Sequence, residues 1–228
     1  IINIDVFDGP LEVVKGLMIA AYVISIIATL IVTAIIIILR FYKNLMTDEG
    51  YLMFTLPVKP LQLINSKLIT SIIWIIVSVI TVILSLLILL ANSKNIEYLK
   101  GFFEGMLYVF KAEFGDQYVL VMVEFGLIMV ISIIQQILLI YVSIAVGHLF
   151  NGHKVLGSFA AYIVINTAVQ IILTVLLFVL SRINPSTFEE ASSVPEVVFP
   201  ITIIVGLTLC TLYYLSTNYI FSRKLNLE

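Results

Sequence analysis

Five stretches of this chain contain no Asp, Glu, Lys or Arg: Gly16–Leu39, Leu68–Ala91, Phe125–Gly147, Val155–Ser181 and Val197–Ser222. Each exceeds the roughly 20 helical residues that cross a hydrocarbon core. Composition agrees. Of the 228 residues, 61% are hydrophobic and 11% charged, with a mean hydropathy of +1.17, against about 25% charged in a soluble domain. One core of this size cannot hide so much apolar surface, so lipid is the solvent. The stretches are rich in Ile and Val, which favour strands in water. Lipid overrides that preference, because a spanning segment must close its own backbone hydrogen bonds. A β-barrel would need short alternating segments, and these are long and uniform. The expectation is an all-α polytopic membrane protein forming one transmembrane domain, with spans at about 16–40, 67–91, 120–147, 154–181 and 197–221.

Several function classes drop out. An isoelectric point near 5.7 argues against nucleic acid. The single cysteine, Cys210, precludes an internal disulfide and reads as a packing residue. His148 and His153 lack a nearby cysteine or acid, which makes a poor zinc site. No Gly-x-x-x-x-Gly-Lys-Ser/Thr loop is present, so any use of ATP falls to a partner. The pair Glu189-Glu190 superficially suggests a glutamate-type intramembrane protease of the CAAX-processing class. Such enzymes need an Arg four residues on, where this chain has Val194.

Loop charge predicts the orientation. The Arg40–Lys67 loop, the His148–Lys154 turn and the C-terminus share one side and carry seven of the twelve cations but three of the fourteen acids. The positive-inside bias places that side in the cytoplasm. The first apolar run is too long for a signal h-region and lacks a basic segment before it. The sequence starts at Ile1, and five spans with an external N-terminus lead us to expect a sixth helix upstream. On the outer side, Ile96, Leu99, Phe102, Phe103, Met106, Leu107, Phe110 and Phe114 recur at helical spacing within about 94–115. An amphipathic helix lying on the outer interface or capping the bundle is the simplest expectation, and a substrate-contacting helix the alternative.

The most informative segment is the first inner loop, about 41–66. Thr47 or Asp48 can cap a short helix, and acids there suit its dipole. Tyr51, Leu52, Phe54 and Leu56 make a compact apolar cluster before Pro57 and Pro60 break the helix. The residues alone fit equally a docking surface for another protein and a helix lying flat on the inner leaflet. The order Glu49-Gly50, Leu56-Pro57, then Lys67 entering an apolar helix resembles the permease subunits of type-2 ATP-binding-cassette exporters, in their Gram-positive bacterial form. The Gly147–Gly157 turn resembles the family's second inner loop, and the order of spans is similar apart from the missing first helix.

That resemblance implies a coupling helix seated in a cleft of a cytoplasmic ATPase, with Asp48, Glu49, Gly50, Tyr51, Phe54, Leu56 and Pro57 as the contact. It further implies ATP and Mg bound by the partner ATPase subunits, a second permease as homodimer or heterodimer, and a bacterial plasma membrane. The substrate would be a peptide, lipid or drug-like molecule. The alternative is a membrane sensor or accessory protein that binds an external peptide or lipid and signals through a partner.

Within the spans, Gln135 and Gln136 lie mid-segment, Asn166, Gln170 and Thr174 recur four apart on one helix face, and Ser78, Thr81 and Ser85 form another polar stripe. Such groups face protein or water rather than lipid. Interhelical hydrogen bonding is the first expectation. Gln135, Gln136, Asn166, Gln170 and Thr174 are also the candidates for a substrate path.

Overall fold

The computed structural model describes residues 12–46, 60–89, 93–150, 152–183 and 193–223. Among these residues six α-helices run in the order α1 (Glu12–Met46), α2 (Pro60–Leu89), α3 (Ser93–Phe114), α4 (Tyr118–Gly147), α5 (Lys154–Ile183) and α6 (Ser193–Arg223), with a 3-10 turn at Gly115–Gln117. Among the described residues there is no strand. Five helical segments among them are long and apolar enough to cross a membrane, and the protein is an integral membrane protein of the all-α class. α1 has 35 residues, about 50 Å at 1.5 Å per residue. It therefore projects beyond a bilayer core of about 30 Å.

α4 is the hub. It packs along α6 on one side and α5 on another, while α1 and α2 pair with each other. Small residues permit the closest approaches, as expected where lipid supplies no hydrophobic drive and van der Waals fit decides. A Cβ on Gly147 would run into the backbone nitrogen, Cα and hydroxyl of Ser158. One on Gly157 would meet Phe150 Cδ2 at 3.0 Å and the Gly147 carbonyl oxygen at 3.1 Å. Gly206 of α6 fits against Ile131 of α4, and Cys210, half-buried, sets its sulfur 3.9 Å from the Ile131 carbonyl oxygen. Cys210 thus packs between helices, as its apolar setting predicts.

The buried core is concentrated at one end of the bundle. It comprises Ile37 and Phe41 of α1, Leu63 and Ile64 of α2, the run Ile137–Ala145 of α4 apart from half-buried Ile140, and Tyr213, Ile220 and Phe221 of α6. All belong to the ends that face the 47–59 loop and the 148–153 turn, so we call this the tight end. Tyr141, fully buried, stacks on Phe41 with ring centroids 3.7 Å apart and planes at 12°, and Phe41 meets Phe221 at 5.9 Å. Towards the other end the spans expose their apolar side chains to lipid, from Ile24 and Ile88 to Ile172 and Ile204.

α3 is helical, as the spacing predicts, but does not cap the bundle. It meets chiefly the Gly115–Gln117 turn and the start of α4. Gly115 adopts a positive φ of 52°, a conformation that glycine takes without strain. Tyr98 and Phe102 of α3 are 77% and 66% exposed. Its apolar face is therefore not spent on the other described helices.

Candidate functional site

The coupling residues Asp48, Glu49, Gly50, Tyr51, Phe54, Leu56 and Pro57 lie outside the described residues. What the structure describes is how their flanks are held. α1 delivers the chain to Met46 and α2 takes it up at Pro60. Both flanks are anchored within a few residues, by Phe41 on one side and by Leu63 and Ile64 on the other. The 148–153 turn lies at the same end, and the Tyr42 ring of α1 sits 5.4 Å from that of His148. The end of α1 that leads into the first loop therefore adjoins the start of that turn.

Polar groups bridge the helices inside the membrane. Ser71 Oγ and Tyr141 Oη lie 2.8 Å apart and join α2 to α4. Thr33 Oγ1 lies 3.0 Å from Ser78 Oγ, and Tyr22 Oη 2.9 Å from Ser85 Oγ, joining α1 to α2. Tyr214 Oη donates to Asn65 Oδ1 at 2.7 Å, joining α6 to α2. Each such bridge is worth about 1 kcal/mol in lipid. The bridging serines of α2, Ser71, Ser78 and Ser85, are spaced at two-turn intervals and so share a face. The stripe read from the sequence used Ser78, Thr81 and Ser85. Thr81 instead donates to Val77 O of its own helix at 2.8 Å and faces outward, and the missed member is Ser71. The seven-residue interval was the signal that would have found it.

Between α1, α2 and α4 a groove of about 390 Å³ opens in the middle of the membrane. Apolar side chains such as Leu30, Ile75, Met129 and Ile133 line it, with Thr33, Ser78, Ser132 and Gln136 as polar points. Of the five candidate path residues, Gln136 alone is in its described lining. Gln135 turns towards α6, its Oε1 near Gly206. Asn166, Gln170 and Thr174 are on α5, where Gln170 and Thr174 are exposed and the Thr174 hydroxyl donates to Gln170 O at 2.8 Å. The fold thus divides the five among different surfaces of α4 and α5. Interhelical bridging, the first expectation for such groups, is carried by hydroxyls and by Asn65.

The 148–153 turn is tight. His148 N–H donates to Ile144 O, Leu149 N–H to Val146 O and Phe150 N–H to Gly147 O, at 3.0–3.2 Å, and Gly152 has a φ of 101°. Burial, with a smaller contribution from Lys154, pushes the His148 pKa from 6.5 down to about 4. Its Nε2 is buried without a hydrogen-bond partner. No group of three or more metal-ligating side chains occurs among the described residues. Between pH 6.5 and about 4 the loosened turn binds a proton that the native turn refuses, so stability falls as pH falls through that window and is level above it. Amide exchange at Leu149, Phe150 and Gly157, corrected for its intrinsic pH dependence, should therefore accelerate as pH drops below 6.5. An imidazole signal showing His148 already protonated at about pH 5.5 would contradict this.

In comparison with known proteins, the chain matches no family model, no curated protein and no solved structure.

Proposed function

We propose that this protein is the transmembrane permease subunit of an ATP-driven exporter of the type-2 ATP-binding-cassette kind. The observation that carries this reading is the residue order of the first inner loop, Asp48-Glu49-Gly50-Tyr51, Phe54, Leu56-Pro57 and Lys67. The way its flanks are held supports it mechanically. A push on the 47–59 segment would pass through Phe41, Leu63 and Ile64 into Tyr141 and hence into α4, the helix to which α5 and α6 are fastened. Spans joined firmly at one end and less so at the other suit a device whose outer end opens and closes when its inner end is moved. In this reading the loop and C-terminus face the cytoplasm of a bacterial cell, ATP and Mg reside in the partner ATPase, and a second permease completes the pathway.

The exposed apolar face of α3 favours a second reading, an accessory or sensor protein that binds a peptide or lipid on its outer side. One experiment separates the two. The Phe54→Asp variant is expected to reach the membrane at normal levels, to lose at least about tenfold in export, and to leave the partner's ATP hydrolysis unresponsive to substrate, since a buried unpaired carboxylate is costly at a docking contact. An ATPase that copurifies equally and stays coupled to the variant would overturn the assignment, as would a wild-type protein that brings down no ATPase.

A further inference from the structure

The groove between α1, α2 and α4 holds polar groups that its own walls do not satisfy. Buried Ile37 and Ile137 bound it towards the tight end, and from there it runs to exposed Leu30 and Met129. On the α1–α2 wall the two hydroxyls are paired, Thr33 Oγ1 donating to Ser78 Oγ at 3.0 Å. On the α4 wall Ser132, Ile133, Gln136 and Ile137 recur at helical spacing and so share a face. Ser132 and Gln136 are exposed, and neither side chain forms a hydrogen bond with another described residue. Hydroxyls elsewhere on the spans, Thr29 and Thr81 among them, turn back onto their own helices. The glutamine amide is harder to accommodate, since it carries two N–H donors and a carbonyl acceptor.

Depth and charge narrow what can satisfy that amide. Gln136 is the middle residue of the charge-free stretch Phe125–Gly147, so it stands near the bilayer centre. Water is scarce there, and an unpaired amide is costly. A phospholipid acyl chain suits the apolar walls but brings no hydrogen-bonding group to that depth, since the polar parts of the lipid stay at the interfaces. The described lining has no charged side chain, so a charged occupant would find no counter-charge. At about 390 Å³ the groove falls within the range of small-molecule sites, about 300–1,000 Å³. We propose that this groove binds an uncharged apolar molecule carrying a carboxamide. Gln136 returns both a donor and an acceptor to that amide, and Ser132 adds a hydroxyl one turn away. Such binding requires neither a partner ATPase nor transport.

The probe is octanamide with a photoactivatable diazirine on its alkyl chain, and the control is octane bearing the same group. Each is photolysed with the protein in phosphatidylcholine vesicles. Mass spectrometry then compares labelling at Met129 and Ile133 in the groove with labelling at lipid-exposed Ile172 of α5. Ile172 stands as far along α5 from Ser158 as Ile133 does along α4 from Gly147, hence at matching depth. The groove-to-Ile172 ratio for the amide is expected to exceed that for octane roughly tenfold, the factor that two hydrogen bonds in lipid support. Unlabelled octanamide should abolish the excess. Gln136→Leu should bring the amide down to the octane ratio while octane still labels the groove, which shows the groove intact. Gln170→Leu, which removes an exposed amide outside the groove, should keep the excess. The competition arm needs no variant, so a misfolded Gln136→Leu leaves the test standing. Equal wild-type ratios for amide and octane overturn the proposal, as does an excess that survives Gln136→Leu. Groove residues that neither probe reaches, while Ile172 is labelled, overturn it too and assign the groove to another protein segment.

Discussion

Gly147→Val is expected to break the α4–α5 hairpin. The space a Cβ would need at residue 147 is held by the backbone nitrogen and Cα of Ser158 as well as its hydroxyl. Backbone cannot rotate away, so α5 as a whole must retreat from α4. Overpacking of this kind costs about 3 kcal/mol or more when the obstacle is main chain. Gly147→Ala should already suffer most of the effect, because the first carbon makes the collision. Ser158→Ala should not rescue either variant, since it removes only the hydroxyl. Gly157→Ala should be milder, because its Cβ would meet Phe150 Cδ2 at 3.0 Å and the Gly147 carbonyl oxygen at 3.1 Å, contacts relieved by shifts of a few tenths of an ångström. Unfolding of the purified protein in mixed micelles, together with protease cleavage in the 148–153 turn, measures the series. A Gly147→Val midpoint equal to wild type would mean that α4 and α5 do not meet here.

Tyr141→Ala is the second large change, and it acts on the knot that joins α1, α2, α4 and α6. Removing the ring takes away the stack on Phe41 and the hydroxyl contact to Ser71, and opens a cavity in the tightest part of the molecule. Aromatic-to-alanine substitutions cost about 3–5 kcal/mol in soluble cores. The lower end applies here, because a span released into lipid keeps its apolar side chains out of water. Tyr141→Phe keeps the ring and should cost about 1 kcal/mol, since the Ser71 hydroxyl can turn to a carbonyl of its own helix. Phe41→Ala should cost a similar amount to Tyr141→Ala. The double variant should fall well short of the sum of the two, because each single change already removes the stack. Additive losses in that cycle would show that the two rings contribute separately.

Much of the membrane architecture was legible in residue order. The spans predicted at about 67–91, 120–147 and 154–181 correspond to α2 at Pro60–Leu89, α4 at Tyr118–Gly147 and α5 at Lys154–Ile183. The amphipathic segment predicted over about 94–115 is α3 at Ser93–Phe114. Charge-free length and helical periodicity are local properties, and a backbone in lipid has no alternative to satisfying itself. The candidate site was less legible. Ser78 and Ser85 were recognised as polar positions, yet Ser71 was not, and nothing in the sequence separates Gln135, beside α6, from Gln136, in the groove between α1, α2 and α4. Adjacent helical residues point about 100° apart, so each side chain's surroundings depend on which helix stands on that side.

The sequence by itself determined that this chain lives in a membrane, that it presents five spanning segments, and that a loop of distinctive residue order joins the first two. Only the tertiary structure decided which end of the bundle is tight. Hydropathy does not mark it, since the tight half of α6 holds Tyr213, Tyr214, Thr217 and Asn218 and is the more polar half, and a Leu facing lipid costs no more than a Leu facing protein. Helix association here depends instead on matched shapes and paired hydroxyls. Gly147 matters because Ser158 lies against it, and Tyr141 because Phe41 and Ser71 do. None of those neighbours sits on the same helix as its partner, and each contact is made by the hub helix α4.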